Sequence, residues 1–278
     1  MSAQVEGQWG LHEARAWARA RLDEAGVDSV DADVRELLEW ACDVTTQWDL
    51  PTVLDPEQAE KLRGGVAERA LRIPLQHVTG RMFFRSLVLT AMPGVFIVRP
   101  ETEVLAGLAI DEARSVVGSR GEARVVDLCT GSGAIAAAIK SELPNAQVFA
   151  VELSEDAIPY TRKNLEPLGV HLVQGDALTA LPELAGTFDA VLSNPPYIPP
   201  ANVPADPEAA LHDPDMALYG GGEDGMQMPS AIAARAFELL TPGGLFIMEH
   251  DDTQEEAVAE LLARVGFEDC YPVRDLNN

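Results

Sequence analysis

The first seventy residues carry apolar side chains at helical spacing. Leu11, Ala14, Trp17, Ala18 and Leu22 share one face and the pattern stops at Gly26, which predicts a helix over residues 8–26. Leu37, Leu38 and Ala41 mark a second over 30–42. Asp55-Pro56 reads as an N-cap followed by proline at the first helical position, opening a third helix to about Leu71 that Gly64-Gly65 should weaken or kink. From Pro74 to Val98 the period falls to two, through Met82, Phe84 and Leu87-Val88-Leu89 to Val95-Phe96-Ile97-Val98. That pattern predicts a β-hairpin with its turn near Ala91–Gly94. Three parts follow: a helical domain over 1–73, a hairpin linker over 74–98, and a remainder over 99–278.

The remainder alternates strands and helices. Arg99-Pro100-Glu101-Thr102-Glu103 opens a helix to about Val117, with Glu101 and Glu103 either favouring the helix dipole or facing a pocket. Apolar runs at 123–128, 147–151, 170–174, 188–192 and 245–249 are short enough for buried strands, with helices expected at 134–143, 229–240 and 253–265. Phe267–Val273 suggests a further strand, and the Pro-, Gly- and Asp-rich stretch 198–228 reads as a long loop over a site. This is an α/β, Rossmann-like organisation with a mostly parallel sheet.

Strand ends in such a sheet deliver functional residues to one edge. The first ends in Cys129-Thr130-Gly131-Ser132-Gly133, the second in Glu152, the third in Gly175-Asp176-Ala177-Leu178 and the fourth in Ser193-Asn194-Pro195-Pro196-Tyr197. The glycine turn lacks GxGxxG spacing, which disfavours a pyrophosphate cradle. Glu152 stands where an acid accepts hydrogen bonds from ribose hydroxyls, so a nucleoside-type cofactor is expected there.

Asn194 to Tyr197 has the makings of a clamp for a flat NH2 group. Asn194 offers a carbonyl acceptor, Pro195 has no N–H to donate, Pro196 stiffens the turn, and Tyr197 supplies a ring on which a planar amide or base can stack. Proline after asparagine is also ordinary turn chemistry, so the motif by itself leaves both readings open.

Composition narrows the function classes. The chain has 278 residues, 47% of them hydrophobic, and a mean hydropathy of -0.01, as in soluble globular proteins with ample core. No apolar run is long enough to span a membrane and the N-terminus is polar and acidic, so a cytoplasmic protein is expected. Cys42, Cys129 and Cys270 form no CxxC pair, and the five histidines show no ligand spacing, so neither a disulfide framework nor a metal is implied. A net charge of -25 opposes broad binding to a phosphate backbone.

With these residues in view, the sequence closely resembles the release-factor glutamine N5-methyltransferases. The likeness runs through Pro74-Leu75-Gln76, Arg99-Pro100-Glu101-Thr102-Glu103, Asp127 to Ile135, Ser193 to Ile198 and Asp224-Gly225. It implies an N-terminal helical bundle that recognises substrate, a hairpin hinge, a seven-stranded class I methyltransferase sheet, and S-adenosyl-L-methionine as cofactor. By resemblance, residues 129–133 line its methionine part, Glu152 takes the ribose, and Asp176-Ala177 lies beside the adenine. Asn194 and Pro195 would hold a glutamine amide, with Pro196 and Tyr197 packing against it. The implied partners are class 1 peptide chain release factors, met by a monomer with no stable nucleic acid and no membrane.

Two departures stand out. Val98 replaces a proline common in the family before Arg-Pro, and the sequence stops at Asp275-Leu276-Asn277-Asn278, where relatives usually continue into a last strand. Without that strand one side of the sheet is expected to lack a neighbour. Two rivals remain at this level: an amino-methylase of adenine or cytosine, whose exocyclic amine is equally flat, and a cofactor-binding scaffold without turnover.

Overall fold

The computed structural model describes residues 9–204 and 206–275, which fall into two compact units. One comprises the chain up to Arg81 together with Asp206–His212, and the other comprises 82–204 and 213–275.

The smaller unit is built on helices α1 (Leu11–Glu24), α2 (Val30–Ala41) and α3 (Pro56–Ala70). Leu22, Leu37, Leu38, Leu54 and Leu62 form its fully buried centre. Residue 8, where the first helix is expected to begin, lies outside the described residues, and α1 starts at Leu11. α3 opens as the sequence predicts, because Asp55 Oδ1 accepts from Gln58 N at 2.8 Å while Gln58 Oε1 accepts from Asp55 N at 3.0 Å. Gly64-Gly65 does not break it. A β-carbon on Gly65 would stand 2.8 Å from the Trp40 ring, so this glycine serves close approach of α3 to α2.

Arg69 is buried between two carboxylates, with Nε 2.7 Å from Asp33 Oδ2 and Nη1 2.7 Å from Glu208 Oε1, and Arg72 reaches the same Glu208 at 2.8 Å. These pairs tie the short helix Pro207–His212 to the bundle; burial works to raise the Glu208 carboxyl, but hydrogen bonds with Asp206, Arg72 and Arg69 hold it down at about 2. Glu36 behaves oppositely. Burial pushes its carboxyl up to about 7, although Thr79 Oγ1 donates to it at 3.2 Å. A carboxyl raised in the folded state is most compatible with folding when protonated, so its contribution is lost as pH rises from about 4.5 through about 7. Glu36→Gln is expected to melt closer to the parent at pH 5 and above it at pH 8. Equal melting shifts for the two proteins over that range would remove Glu36 as the cause.

The larger unit is a five-stranded parallel sheet of β1 (Arg124–Leu128), β2 (Gln147–Glu152), β3 (His171–Gln174), β4 (Phe188–Ser193) and β5 (Leu240–Met248), in the order β3-β2-β1-β4-β5. Its helices are α4 (Thr102–Arg120), α5 (Ala134–Glu142), α6 (Ile158–Leu165), α7 (Gln227–Leu239) and α8 (Glu255–Val265). Val125, Val148, Ala190 and Leu192 pack with the alanine-rich faces of α4 and α5, while Val126, Val151 and Val191 pack with Ile232, Ala236 and Leu239 of α7. Both faces are covered, which is why β1 and β4 carry buried apolar residues on both sides, interrupted by Asp127 and Asp189. Chain order reverses between β1 and β4. Leu128 is paired with Ser193 at their carboxyl ends, so Cys129 and Asn194 leave the sheet side by side at the switch point.

Several expectations need correction. The two hairpin strands are Arg81–Phe84 and Leu87–Thr90, with Arg85 at φ 51° between them, so the turn precedes Ala91–Gly94. Residues 95–98 are not a strand: the Ile97 N–H goes to Asp213 Oδ1 at 3.5 Å, and Pro93 and Pro100 bracket the segment. Asn164 of α6 instead holds the end of the hairpin, accepting from Thr90 N at 2.8 Å and donating to Thr90 O at 3.0 Å. The stretch 198–228 is not wholly irregular, since it contains Pro207–His212 and a second short helix, Asp215–Leu218.

Five strands, not seven, form the sheet among the described residues. Phe267–Val273 is irregular, with Asp269 at φ 54°, Tyr271 73% exposed, and Pro272 unable to donate to a ladder. Residues 276–278, part of the unusual ending, lie outside the described residues, as do residues 1–8 of the polar N-terminus. Among the described residues no helix is long and apolar enough to cross a membrane, and no group of three His, Cys, Asp or Glu side chains could hold a metal ion.

Candidate functional site

A cavity of about 420 Å³ opens outside the carboxyl ends of β1, β2 and β4, lined entirely from the larger unit. β1 runs into it through a reversed backbone. Cys129 has φ 61°, a left-handed conformation that a residue with a β-carbon rarely adopts outside functional turns. Thr130, Gly131 and Ser132 follow it along the wall. Burial pushes the Cys129 thiol up to about 12, so it is a neutral wall residue and not a nucleophile. Beneath the turn, Thr130 Oγ1 donates to Asp127 Oδ2 at 2.5 Å, and burial lifts the Asp127 carboxyl to about 7. Gly133 stands apart from the cavity. It caps α5 at φ 84°, and a β-carbon there would meet Leu165 at 2.8 Å, so its role is packing.

Glu152 closes β2 and fixes this turn. Its Oε2 accepts from Gly131 N and its Oε1 from Ser154 N, both at 2.7 Å. Burial raises the carboxyl above its ordinary value and these two N–H groups oppose the rise. Each oxygen retains a lone pair for a hydroxyl. Ala177 is buried in the wall and Asp176 is exposed at the rim, its Oδ1 accepting from Leu178 N at 2.9 Å.

Asn194 and Pro196 line the cavity, while Pro195 and Tyr197 do not. The Asn194 Nδ2 donates to Thr102 Oγ1 at 3.3 Å, which leaves its Oδ1 outside that bond. Thr102 Oγ1 in turn donates to Glu249 Oε2 at 2.7 Å, and the Tyr197 hydroxyl donates to Glu249 Oε1 at 3.4 Å. Burial raises both the Tyr197 hydroxyl and the Glu249 carboxyl above their ordinary values.

Of the Arg99–Glu103 segment it is therefore Thr102 that reaches the cavity. Glu101 sits at the N-cap of α4, and Glu103 accepts from Arg85 N at 2.6 Å. Reasoning from sequence missed Thr102 and Glu249. Glu249 follows β5 directly, so the strand-end rule that found Glu152 and Asn194 would have found it too. The apolar wall of Phe96, Val98, Pro214, Met216 and Tyr219 was also missed, because those residues converge from segments without periodicity. Arg99 Nη2 bonds Asp213 Oδ2 at 2.7 Å, fastening the two halves of that wall to each other.

The same division into two parts emerges from comparison with known proteins. A family model described as the PrmC N-terminal domain matches residues 13–80, and one described as a methyltransferase domain matches 119–266. The release factor glutamine methyltransferase of Streptomyces coelicolor is 47% identical over 95% of this chain and 93% of its own length, and that of Bifidobacterium longum is 40% identical over 90% of each. This chain belongs to the release factor glutamine methyltransferase family. A 4-amino-L-phenylalanine/4-methylamino-L-phenylalanine methyltransferase of Streptomyces pristinaespiralis is also similar, at 38% identity over 92% of this chain and 88% of its own. The family's class I methyltransferase fold accounts for the parallel sheet and its switch-point cavity.

Proposed function

We propose that the protein transfers a methyl group from S-adenosyl-L-methionine to the side-chain amide nitrogen of a glutamine in peptide chain release factors. The single observation that carries this is the anchored Asn194, whose NH2 is engaged by Thr102 so that its carbonyl oxygen is the group left for a substrate N–H. The cavity fits the cofactor. Its volume lies in the usual range for small-molecule sites, Gly131 faces open space, and Glu152 can accept from ribose hydroxyls while holding the turn. Cys129 to Ser132 and Glu152 hold it, with Asp176 and Ala177 beside the base. When bound it supplies a methyl group made electrophilic by a sulfonium.

The chain's own residues do the rest. A glutamine amide nitrogen is a poor nucleophile because its lone pair is delocalised into the carbonyl. Acceptors on its N–H bonds, Asn194 Oδ1 at the cavity wall and a main-chain carbonyl of the adjoining turn, favour the form in which positive charge develops on nitrogen. The fixed turn holds the nitrogen in line for attack, and its proton then leaves to water without a dedicated base. Tyr197 stiffens the turn through Glu249.

In this reading residues 1–73 form the substrate-recognition domain and 74–98 the hairpin link to a catalytic domain over 99–278. The protein works as a cytoplasmic monomer, and its charge of -25 sets it against free nucleic acid. Mass spectrometry of a release factor incubated with the protein and methyl-labelled cofactor should place one added methyl on a glutamine amide. Label on adenine of duplex DNA, or on 4-amino-L-phenylalanine with none on the release factor, would replace this substrate by another flat amine. Glu152→Ala should weaken cofactor binding in calorimetry by about 1–3 kcal/mol, the cost of poorly paired hydroxyls. Unchanged affinity would remove Glu152 from the site.

A further inference from the structure

We propose that Glu249, acting through Thr102, sets which way the Asn194 amide points, and that both are positioning residues for methyl transfer. This rests on the reading of Asn194 as the acceptor for the substrate NH2. The two ends of an asparagine amide have nearly the same shape, so packing alone does not choose between presenting oxygen and presenting NH2 to a substrate. A flipped amide would meet the substrate NH2 with another NH2 and lose the clamp.

The hydrogen bonds around Thr102 make the choice. Thr102 is fully buried and its hydroxyl has one proton. An ionised Glu249 can only accept, and its Oε2 lies 2.7 Å from Thr102 Oγ1, so the proton goes there. The hydroxyl oxygen is then left as an acceptor, and the Asn194 group that can serve it is the NH2, found at 3.3 Å, the same end of the amide that also bonds the Glu249 carboxylate directly. The second carboxylate oxygen takes the Tyr197 hydroxyl, so Glu249 orients both side chains of the motif. Its backbone N–H is bound to Ser193 O at 3.0 Å, which fixes it to the strand end carrying Asn194. An acceptor-only group at one end thus gives direction to every bond in the chain.

Steady-state kinetics on the full-length protein with a release factor substrate test this. Thr102→Val, which keeps shape and loses the hydroxyl, should lower kcat roughly 10- to 100-fold, as expected for one misdirected catalytic hydrogen bond. Cofactor affinity by calorimetry should stay within about twofold, and Thr102→Ser should recover most of the parental kcat, because the hydroxyl is restored. In an Asn194→Ala background Thr102→Val should cost nothing more, since there is no amide left to orient. Glu249→Gln, which can offer Thr102 either an oxygen or an NH2, should follow the same pattern and serves if Thr102→Val does not fold. Independent, multiplying losses from Thr102→Val and Asn194→Ala would overturn the relay while leaving the clamp in place. Parental kcat in Thr102→Val beside a large loss in Asn194→Ala would do the same, whereas parental kcat in Asn194→Ala removes clamp and relay together.

Discussion

Replacing Asn194 by alanine is expected to lower turnover by roughly two or more orders of magnitude, the scale on which a preorganised hydrogen-bonding group acts at a reacting centre. The fold should survive, because the amide's side-chain bonds, to Thr102 and Glu249, are peripheral to the apolar layers that hold the sheet. Asn194→Asp sharpens the experiment. If the side chain only capped a proline turn, aspartate would serve nearly as well. As a clamp it would fail, because a carboxylate cannot donate to Thr102 and would place a second negative charge beside the buried Glu249. The aspartate variant should therefore bind cofactor and lose most of its activity. Turnover of Asn194→Ala within a few-fold of the parent, in a protein that melts normally, would eliminate the clamp.

The legible parts of this protein are those where one local rule dominates. Strand ends at a sheet edge announced Cys129, Glu152 and Asn194, and the structure brings all three to one cavity. Asp55 and Pro56 announced the start of α3, because capping is settled within four residues, where Gln58 completes it. Failures came where distant groups decide. The segment 95–98 is a run of β-branched and aromatic residues like a strand, yet Asp213, more than a hundred residues away, takes the Ile97 N–H. Gly65 looked like a helix breaker because nothing nearby in sequence reveals Trp40 above it. Gly133 looked like a cofactor residue because a glycine required by a ligand and one required by Leu165 are the same letter. Thr102 was hidden between two acids whose charge drew attention to themselves. Its importance depends on Glu249, 147 residues further on.

Gly225→Ala should be the most damaging single substitution outside the cavity wall. Gly225 has φ 77°, and a β-carbon there would lie 2.2 Å from Tyr197 O and 2.8 Å from Pro199 N, both main-chain atoms that cannot swing aside. Gly220 is as tightly placed, its imagined β-carbon 1.9 Å from Gly225 O and 2.7 Å from Pro196 O. Three backbone segments therefore meet behind the Asn194–Tyr197 turn without side chains between them. Ile198 N bonds Leu218 O at 2.9 Å, Gly220 N bonds Ile198 O at 3.1 Å, and Gln254 Nε2 bridges Tyr197 O and Asp224 O at 2.9 and 3.0 Å. A methyl group at position 225 must push the turn toward the cavity or unfasten it from Gln254. Strain together with those lost bonds should cost about 3–5 kcal/mol, which for a chain of this size lowers Tm by roughly 10 °C. Activity should fall with it, because Asn194 rides on the displaced turn. Gly243→Ala is the matched control: Gly243 has φ 80° but open space around it, so alanine there meets only the left-handed penalty of about 1–2 kcal/mol. Equal melting losses and equal kcat for the two variants would show that backbone conformation alone, and not close packing behind the turn, makes Gly225 necessary.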